Sequence, residues 1–593
     1  MDYELTYNAR TLPFAEVAET FIPPERHFLS LASRNHTLLV GPRGSGKTTL
    51  LKMLTFKALA HWSHPKASAF SKQVKFNAAF IPVDDAWRKQ IEALNTPHEP
   101  HKDEAIFSIH TLRALVRAMR DAINIPKTND IPSYLDHLCV KMAPIQEREF
   151  VEKISNTLEI TPNVKTLMGV ELALEEKLSD FCFQKTNLNI SVDNLFQKIT
   201  FLINTFNLIS GDDDRQWGLL FDEFEMAPLG LKNALFDKIR RSDPKLIIKL
   251  AMAPYMQDKI FDYLSHEDPH PLHDYRIIQL TYPNKKDASL FAVELFKKIL
   301  EHMEVKFDSL QQLFGKEINF DYAQRKHAKR KKLPSSFKEL YKKDESFKRF
   351  ADEKGFLKPT YSFSEENVAA DIRKGIQVVA FRNFYLKEYK NDEGTLLRTR
   401  KSYEIYTGLA NLVDITEGNP RAILTLVVPM ARDHKNAMGE DKRTISTALQ
   451  HAAIRRVDLL ATSLLRATPL ETNISGYGAS LLEFIGRIGR HFSNKLLMSP
   501  FSSNYIGSFI LDKECPTGVR HAVGKALNAG ALIHVPHQEG GGDAILRGLV
   551  GQRFRISYSL SPRHRLLTIL GGSLRLSGLL EKSLSEDQYS LFD

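Results

Sequence analysis

Short apolar runs alternate with amphipathic stretches over the first half of the chain. Thr37-Leu38-Leu39-Val40, residues 78–83 (AAFIPV), Gly218-Leu219-Leu220-Phe221 and Leu246-Ile247-Ile248-Lys249-Leu250-Ala251-Met252 are brief and nearly continuous. That is the pattern of strands buried on both faces. Arg276-Ile277-Ile278-Gln279-Leu280 reads as a further strand. Residues 229–241 put Leu231, Ala234, Leu235 and Ile239 on one helical face, and 286–303 reads as another helix. Strands alternating with helices predict a parallel sheet with crossover connections. Residues 84–210 interrupt the alternation with amphipathic stretches such as 104–123 and 192–209, which reads as a helical insertion.

The pattern changes after residue 400. Residues 402–434 read as two helices around Thr416-Glu417-Gly418-Asn419-Pro420-Arg421. Gly418 suits the end of the first, Asn419 the cap of the second and Pro420 its first position. Arg421 then sits in a first helical turn, where a cation opposes the helix dipole. A phosphate partner explains it, and so does an exposed arginine that merely follows the cap. Further on, 478–492 and Thr517–Asn528 read as helices, the second stopped by Gly530. Residues 531–535 read as a strand, 539–543 as a flexible turn and 553–558 as a returning strand. Two helices and a glycine-tipped hairpin predict a winged helix, with Val519, Val523, Ala526 and Leu527 inward. Arg520, Lys525 and Asn528 are expected to point outward, toward a groove or phosphates. Winged helices also serve as protein-binding modules, so both partners stay open.

Length and charge refine this picture. The 593 residues predict three or four domains. With 26% charged and 43% hydrophobic residues the chain is globular rather than disordered. The net charge is +10, which allows nucleic acid without proving it. Residues 451–575 carry most of it, with 15 Lys and Arg against 7 Asp and Glu. Residues 323–349 are also strongly basic and read either as a phosphate-tracking arm or as a solvated helix or linker. The three cysteines, Cys139, Cys182 and Cys515, are too scattered for a disulfide framework or a zinc finger. No signal peptide and no transmembrane run is visible, so a soluble, cytoplasmic protein without a membrane partner is expected.

The chemistry starts at Gly41-Pro42-Arg43-Gly44-Ser45-Gly46-Lys47-Thr48. This is a GxxxxGK[ST] loop between an apolar strand and a helix that opens through Thr49. Glycines let backbone N–H groups turn around phosphate oxygens, and the helix start adds partial positive charge. Lys47 is expected to reach the β- and γ-phosphates and Thr48 to offer its hydroxyl to Mg²⁺. Asp222, ending the 218–221 run, is the metal-side acid. Glu223 is placed to orient and activate the attacking water. No LSGGQ-like signature precedes Asp222. Asn284-Lys285-Lys286-Asp287 spells a guanine motif but follows a Tyr-Pro turn rather than an apolar strand, so ATP is the expected nucleotide.

These motifs make the chain similar to AAA+ ATPases, and among them to origin-recognition-complex-type initiators and their bacterial relatives, some of which act in phage defence. The resemblance rests on Gly41–Thr48, Leu219–Glu223, Glu417–Arg421 and the C-terminal winged helix. It covers residues 31–83, 215–305, 402–435 and 475–575. It implies that Lys47 and Thr48 bind phosphate and Mg²⁺, that Asp222 and Glu223 are metal acid and catalytic glutamate, and that Arg421 is the lid arginine sensing the γ-phosphate. Arg240 or Arg241 resembles a finger reaching a neighbouring subunit's nucleotide in a homo-oligomer; a basic helix end is favourable in any case. The family carries a polar residue at the end of the 246–252 strand, where this chain has Ala251-Met252-Ala253-Pro254-Tyr255. That departure predicts slow hydrolysis.

The expected fold is therefore an α/β P-loop NTPase of AAA+ type, with a helical insertion, a helical lid and a C-terminal winged helix. The expected layout is an N-terminal segment (1–30), the ATPase core (31–305) with its insertion at about 84–210, a basic helical linker or insertion (306–400), the lid (401–470), the winged helix (471–580) and a loose acidic tail (581–593). The expected function is an ATPase that couples nucleotide state to binding of double-stranded DNA, in phage defence or DNA maintenance. The alternative is a nucleotide-switched signalling scaffold whose winged helix and insertion bind an effector protein.

Overall fold

The computed structural model of the chain describes residues 8–83, 100–128, 131–160, 164–182, 192–227, 229–241, 243–256, 274–281, 285–315, 335–355, 366–391, 394–399, 402–436, 443–470, 480–536 and 548–581. It divides into two compact units. One holds Thr6–Gly41 and Ser45–Leu280; the other holds Pro42–Gly44 and the chain from Thr281 onward.

The first unit is built on β1 (His36–Val40), β2 (Asn77–Pro82), β3 (Trp217–Asp222), β4 (Leu246–Met252) and β5 (Tyr275–Gln279). Their order is β2-β3-β4-β1-β5 and every pairing is parallel. All residues of β3 and β4 are buried, as their mostly apolar sequence requires, Asp222 at the end of β3 included. The exception in kind is Lys249 on β4. Its ammonium is fully buried and donates to the carbonyls of Ser33 and Asn35 and to the Thr37 hydroxyl. Because β1 and β3 both flank β4, the loop after β1 and the acids after β3 emerge at one edge. Ligands of open parallel sheets bind at that edge.

Among the described residues, the α-helices Pro100–Thr128, Pro144–Leu158, Leu167–Cys182 and Val192–Ser210 lie between β2 and β3 in the chain. The helical insertion expected there is present, and its first helix runs past the predicted 104–123. Phe107 stacks on Phe221 at 5.5 Å between ring centres, and the Trp217 indole donates to Asn207 at 3.0 Å. These contacts fix the insertion to β3. Within it, Arg117 and Arg120 both pair with Glu171, joining the first helix to the third.

The second unit has its own core. Phe296 and Leu300 come from the helix Lys285–His302, Ile423 and Leu426 from Pro420–Asn436, and Phe381 and Tyr385 from Glu366–Tyr385. Of the basic region, residues 316–334 lie outside the described residues. The rest forms the helices Ser335–Lys343 and Glu345–Lys354, which bury Phe337, Leu340, Phe347 and Ala351 in that core. Asp344 between them caps Ser346 and Phe347 and pairs with buried Arg382 at 2.8 Å. The linker reading fails for this part, because a phenylalanine at helical spacing on each helix gives it an apolar face to bury. An antiparallel ladder follows, β6 (Leu386–Asn391) with β7 (Gly394–Thr399).

The C-terminal sheet comprises β8 (Ile506–Ile510), β9 (Leu532–Val535), β10 (Arg553–Ile556) and β11 (Gly572–Arg575), in the order β11-β8-β10-β9. The expected hairpin is present as antiparallel β9 and β10; its turn at 539–543 lies outside the described residues. Strands β8 and β11 were not foreseen. The helices Leu481–Leu497 and Thr517–Ala529 accompany the sheet, the latter ending at Gly530 with φ of 75°. Val519, Val523, Ala526 and Leu527 are buried, as expected. The outward placement of Arg520 and Lys525 needs correcting. Arg520 donates to the carbonyls of Cys515 and Lys513, and Lys525 to that of Pro469, so both half-buried chains fold back on the protein. Their donors satisfy carbonyls that the loops around the helix would otherwise leave unpaired. Among the described residues no helix is long and apolar enough to cross a membrane.

Candidate nucleotide-binding site

The loop after β1 turns through Gly44 and Gly46 at φ of 84° and 92°, which a side chain would strain. Gly41 donates its N–H to Met252 at the end of β4 (3.1 Å). The Lys47 ammonium lies over the loop and donates to the Gly41 carbonyl at 2.6 Å. The Thr48 hydroxyl donates to Asp222 Oδ2 at 2.6 Å, joining the two halves of the motif across 174 residues. Burial pushes the Asp222 carboxyl above the usual carboxylate range, and the Thr48 bond and the Lys47 charge pull it partly back.

Two observations test whether nucleotide and metal fit. Ser45 Oγ and Asp222 Oδ1 are buried without a hydrogen-bond partner among the described residues. Moreover, no group of three or more His, Cys, Asp or Glu able to hold a metal occurs among the described residues. A hydroxyl beside one carboxylate suits Mg²⁺, which binds through one or two protein oxygens plus phosphates and water. Thr48 and Asp222 would hold it, and the ion would neutralise phosphate charge.

Glu223 follows β3 in the left-handed region, with φ of 53°. Its carboxylate pairs with Arg10 at 3.2 Å. A third acid, Glu225, is half-buried, and the desolvation of its carboxyl pushes its pKa upward. Glu225 Oε2 accepts from the Ala253 N–H at 3.1 Å. It therefore supplies a polar group at the end of β4, where the sequence offers none. Reading Asp222-Glu223 as a pair passed over Glu225, although the acid stands two residues on. Arg10 carries no local signal, since a lone arginine in a turn resembles any other.

Arg421 is in the second unit, as are Pro42–Gly44 of the loop. Asn419 caps the helix as expected, accepting from the N–H groups of Arg421 and Ala422. The Arg421 N–H lies 3.4 Å from the Gly44 carbonyl, and a Cβ on Gly44 would come within 2.9 Å of the Arg421 side chain. Desolvation, then the neighbouring Arg43 charge, lowers the Arg421 pKa. An exposed arginine held beside a second cation is a place for an anion. The Arg43 N–H donates to the Asn528 carbonyl at 2.9 Å. Thr49 is half-buried in the helix that follows the loop. Arg240 and Arg241 end the helix Leu229–Arg241; their side chains lie outside the described residues.

Four residues before Arg421, Glu417 ends its helix at φ of 52°. It forms an ion pair with Arg555 of β10, and its Oε2 accepts from Ser557 Oγ (2.6 Å) and the Tyr558 N–H (2.9 Å). The Arg555 guanidinium lies 3.8 Å from the centre of the Tyr558 ring.

Neither a curated protein nor a solved structure matches the chain. A family model described as ORC-CDC6-like matches residues 5–576. The match takes in the loop, the acids, the Glu417–Arg421 segment and the C-terminal sheet in one span, and the chain belongs to the ORC-CDC6-like family.

Proposed function

We propose that the chain binds ATP with Mg²⁺ at the 41–48 loop, hydrolyses it slowly, and uses the state of the γ-phosphate to set how its C-terminal module holds double-stranded DNA. In hydrolysis a water oxygen bonds to the γ-phosphorus as the bridge to ADP breaks. Glu223 accepts the water's hydrogen bond and takes its proton, and Lys47 balances charge on the phosphates. Arg421 answers to the γ-phosphate. The observation that carries the reading is Glu417, which shares a helix junction with Arg421 and is itself held by Arg555, Ser557 and Tyr558. A shift of Arg421 toward phosphate pulls on the end of β10. Nucleotide can change DNA affinity only if it binds the two arrangements differently, and this junction supplies a physical difference. The C-terminal module is a winged helix in this reading, with β9 and β10 as the wing. The process is DNA maintenance or phage defence.

One observation favours the scaffold alternative. Arg520 and Lys525, the side chains assigned to DNA, are engaged with the protein's own carbonyls. Steady-state ATP hydrolysis with and without duplex DNA, with Glu223→Gln as the blank, separates the two. Stimulation by DNA that vanishes in the variant supports the DNA-coupled reading. A rate indifferent to DNA at low salt supports the scaffold.

A further inference from the structure

Outside the phosphate loop and its acids, an arginine from the start of the chain touches the group assigned to chemistry. Arg10 NH1 sits 3.2 Å from Glu223 Oε2. The segment that delivers Arg10 is anchored at several points. Asn8 opens a turn, accepting from the N–H groups of Arg10 and Thr11. Lys52, at the end of the helix that Lys47 begins, donates to the carbonyls of Arg10 (3.2 Å) and Leu12 (2.9 Å). Its ammonium also lies 5.0 Å from the Phe14 ring centre and 5.6 Å from that of Phe80. Phe14 meets Phe80 of β2 edge-on at 6.0 Å, and the helix Phe14–Thr20 buries Val17 and Ala18 in the core. The strap is thus fixed to the phosphate-loop helix on one side and to β2 on another, with Arg10 at its leading end.

We infer that Arg10 is a positioning residue that holds Glu223 in a resting arrangement and restrains hydrolysis. The inference rests on the ATPase reading above. A carboxylate that orients water must offer a lone pair to that water and accept its proton. Paired with a guanidinium, Oε2 is turned to that cation rather than to the water. Glu223 must leave Arg10 to act. The two side chains are 33% and 39% exposed, so the pair is weak enough to break within the catalytic cycle. Lys52 extends the device, because the helix that ends in Lys52 begins at Lys47. Movement of that helix on phosphate binding is passed to the carbonyls of Arg10 and Leu12.

The test compares wild type, Arg10→Gln and Arg10→Lys in ATP hydrolysis across substrate concentration. Arg10→Gln is expected to raise kcat about fivefold, the upper limit for releasing an exposed pair, with KM unchanged within about twofold, as for a group acting through Glu223. Arg10→Lys is expected to return kcat to the wild-type rate. Thermal unfolding of Arg10→Gln, Glu223→Gln and the double variant supplies a readout independent of activity. If the pair forms, the double variant unfolds no lower than the worse single one; additive shifts overturn the pair. A kcat unchanged in Arg10→Gln overturns the restraint. A lowered kcat does the same and makes Arg10 a cation that assists the reaction. Hydrolysis by neither wild type nor Arg10→Gln removes the ATPase reading itself, and the restraint falls with it.

Discussion

Two glutamates of this chain share a backbone conformation and a type of partner, yet stand in opposite settings. Glu223 and Glu417 adopt φ of 53° and 52°, in the left-handed region that non-glycine residues occupy sparingly. Each is paired with an arginine far away in sequence, Arg10 and Arg555. Glu223 is 39% exposed and pairs with Arg10. Glu417 is 14% exposed, against 12% for Arg555, and also accepts from Ser557 and Tyr558. A mostly buried pair with further hydrogen bonds on its carboxylate is a joint: breaking it strands a charge. A half-exposed pair is a catch, since water replaces either partner at small cost. The same chemistry thus ties the Glu417 junction to β10 in one unit and, in the reading we propose, restrains Glu223 in the other.

The comparison breaks most readily at the joint. Arg555→Ala leaves the Glu417 carboxylate buried and unpaired, and is expected to cost about 3–5 kcal/mol of stability in urea unfolding. A loss below about 1 kcal/mol makes the pair a surface contact and removes the contrast. Next, Glu223→Gln is expected to lower ATP turnover at least about 100-fold, as removal of a general base does, while unfolding moves by less than about 1 kcal/mol. A stability loss with normal turnover reverses the roles of the two glutamates.

Lys249 extends the comparison to a buried charge held by carbonyls and a hydroxyl rather than by a carboxylate. Burial, then Arg276, holds its pKa down to about 7 from 10.5. Between those values the unfolded chain binds the proton that the folded chain has lost, so stability rises with pH there. Relative to Lys249→Met, wild type is expected to gain about 2 kcal/mol between pH 7 and pH 9. Parallel curves for the two proteins contradict this. The smallest effect is Arg10→Gln on stability, below about 1 kcal/mol, even as turnover rises about fivefold.

The parallel sheet was legible because strands buried on both faces must be almost wholly apolar, and β3 and β4 are, save for Asp222 and Lys249. That Thr48 meets Asp222, at 2.6 Å, was legible because the GxxxxGK[ST] loop and an acid ending a buried strand are fixed in spacing and place. The cap at Asn419 followed from local geometry alone. What sequence could not show are contacts made by one side chain across long separations. Alternation along Arg553-Phe554-Arg555-Ile556 puts the arginines on the face opposite the apolar residues, which predicts exposure. Arg555 is nonetheless only 12% exposed, because β10 is interior to its sheet and Glu417 meets it there. Strand β11 pairs with β8 in parallel from more than 60 residues away, and no turn announces it. Arg520 and Lys525 were misjudged for a related reason: helical spacing says which face is polar but not which carbonyls wait beside it.

The most direct test of the account is the affinity for a fluorescent DNA duplex, by anisotropy, with ATP, with ADP and without nucleotide, each at two salt concentrations. If the Arg421–Glu417–Arg555 junction carries nucleotide state to a DNA-binding module, Kd should differ at least about tenfold between ATP and ADP. It should also weaken steeply with salt, as release of phosphate counterions requires. The same Kd in all three nucleotide states, or binding indifferent to salt, would contradict it.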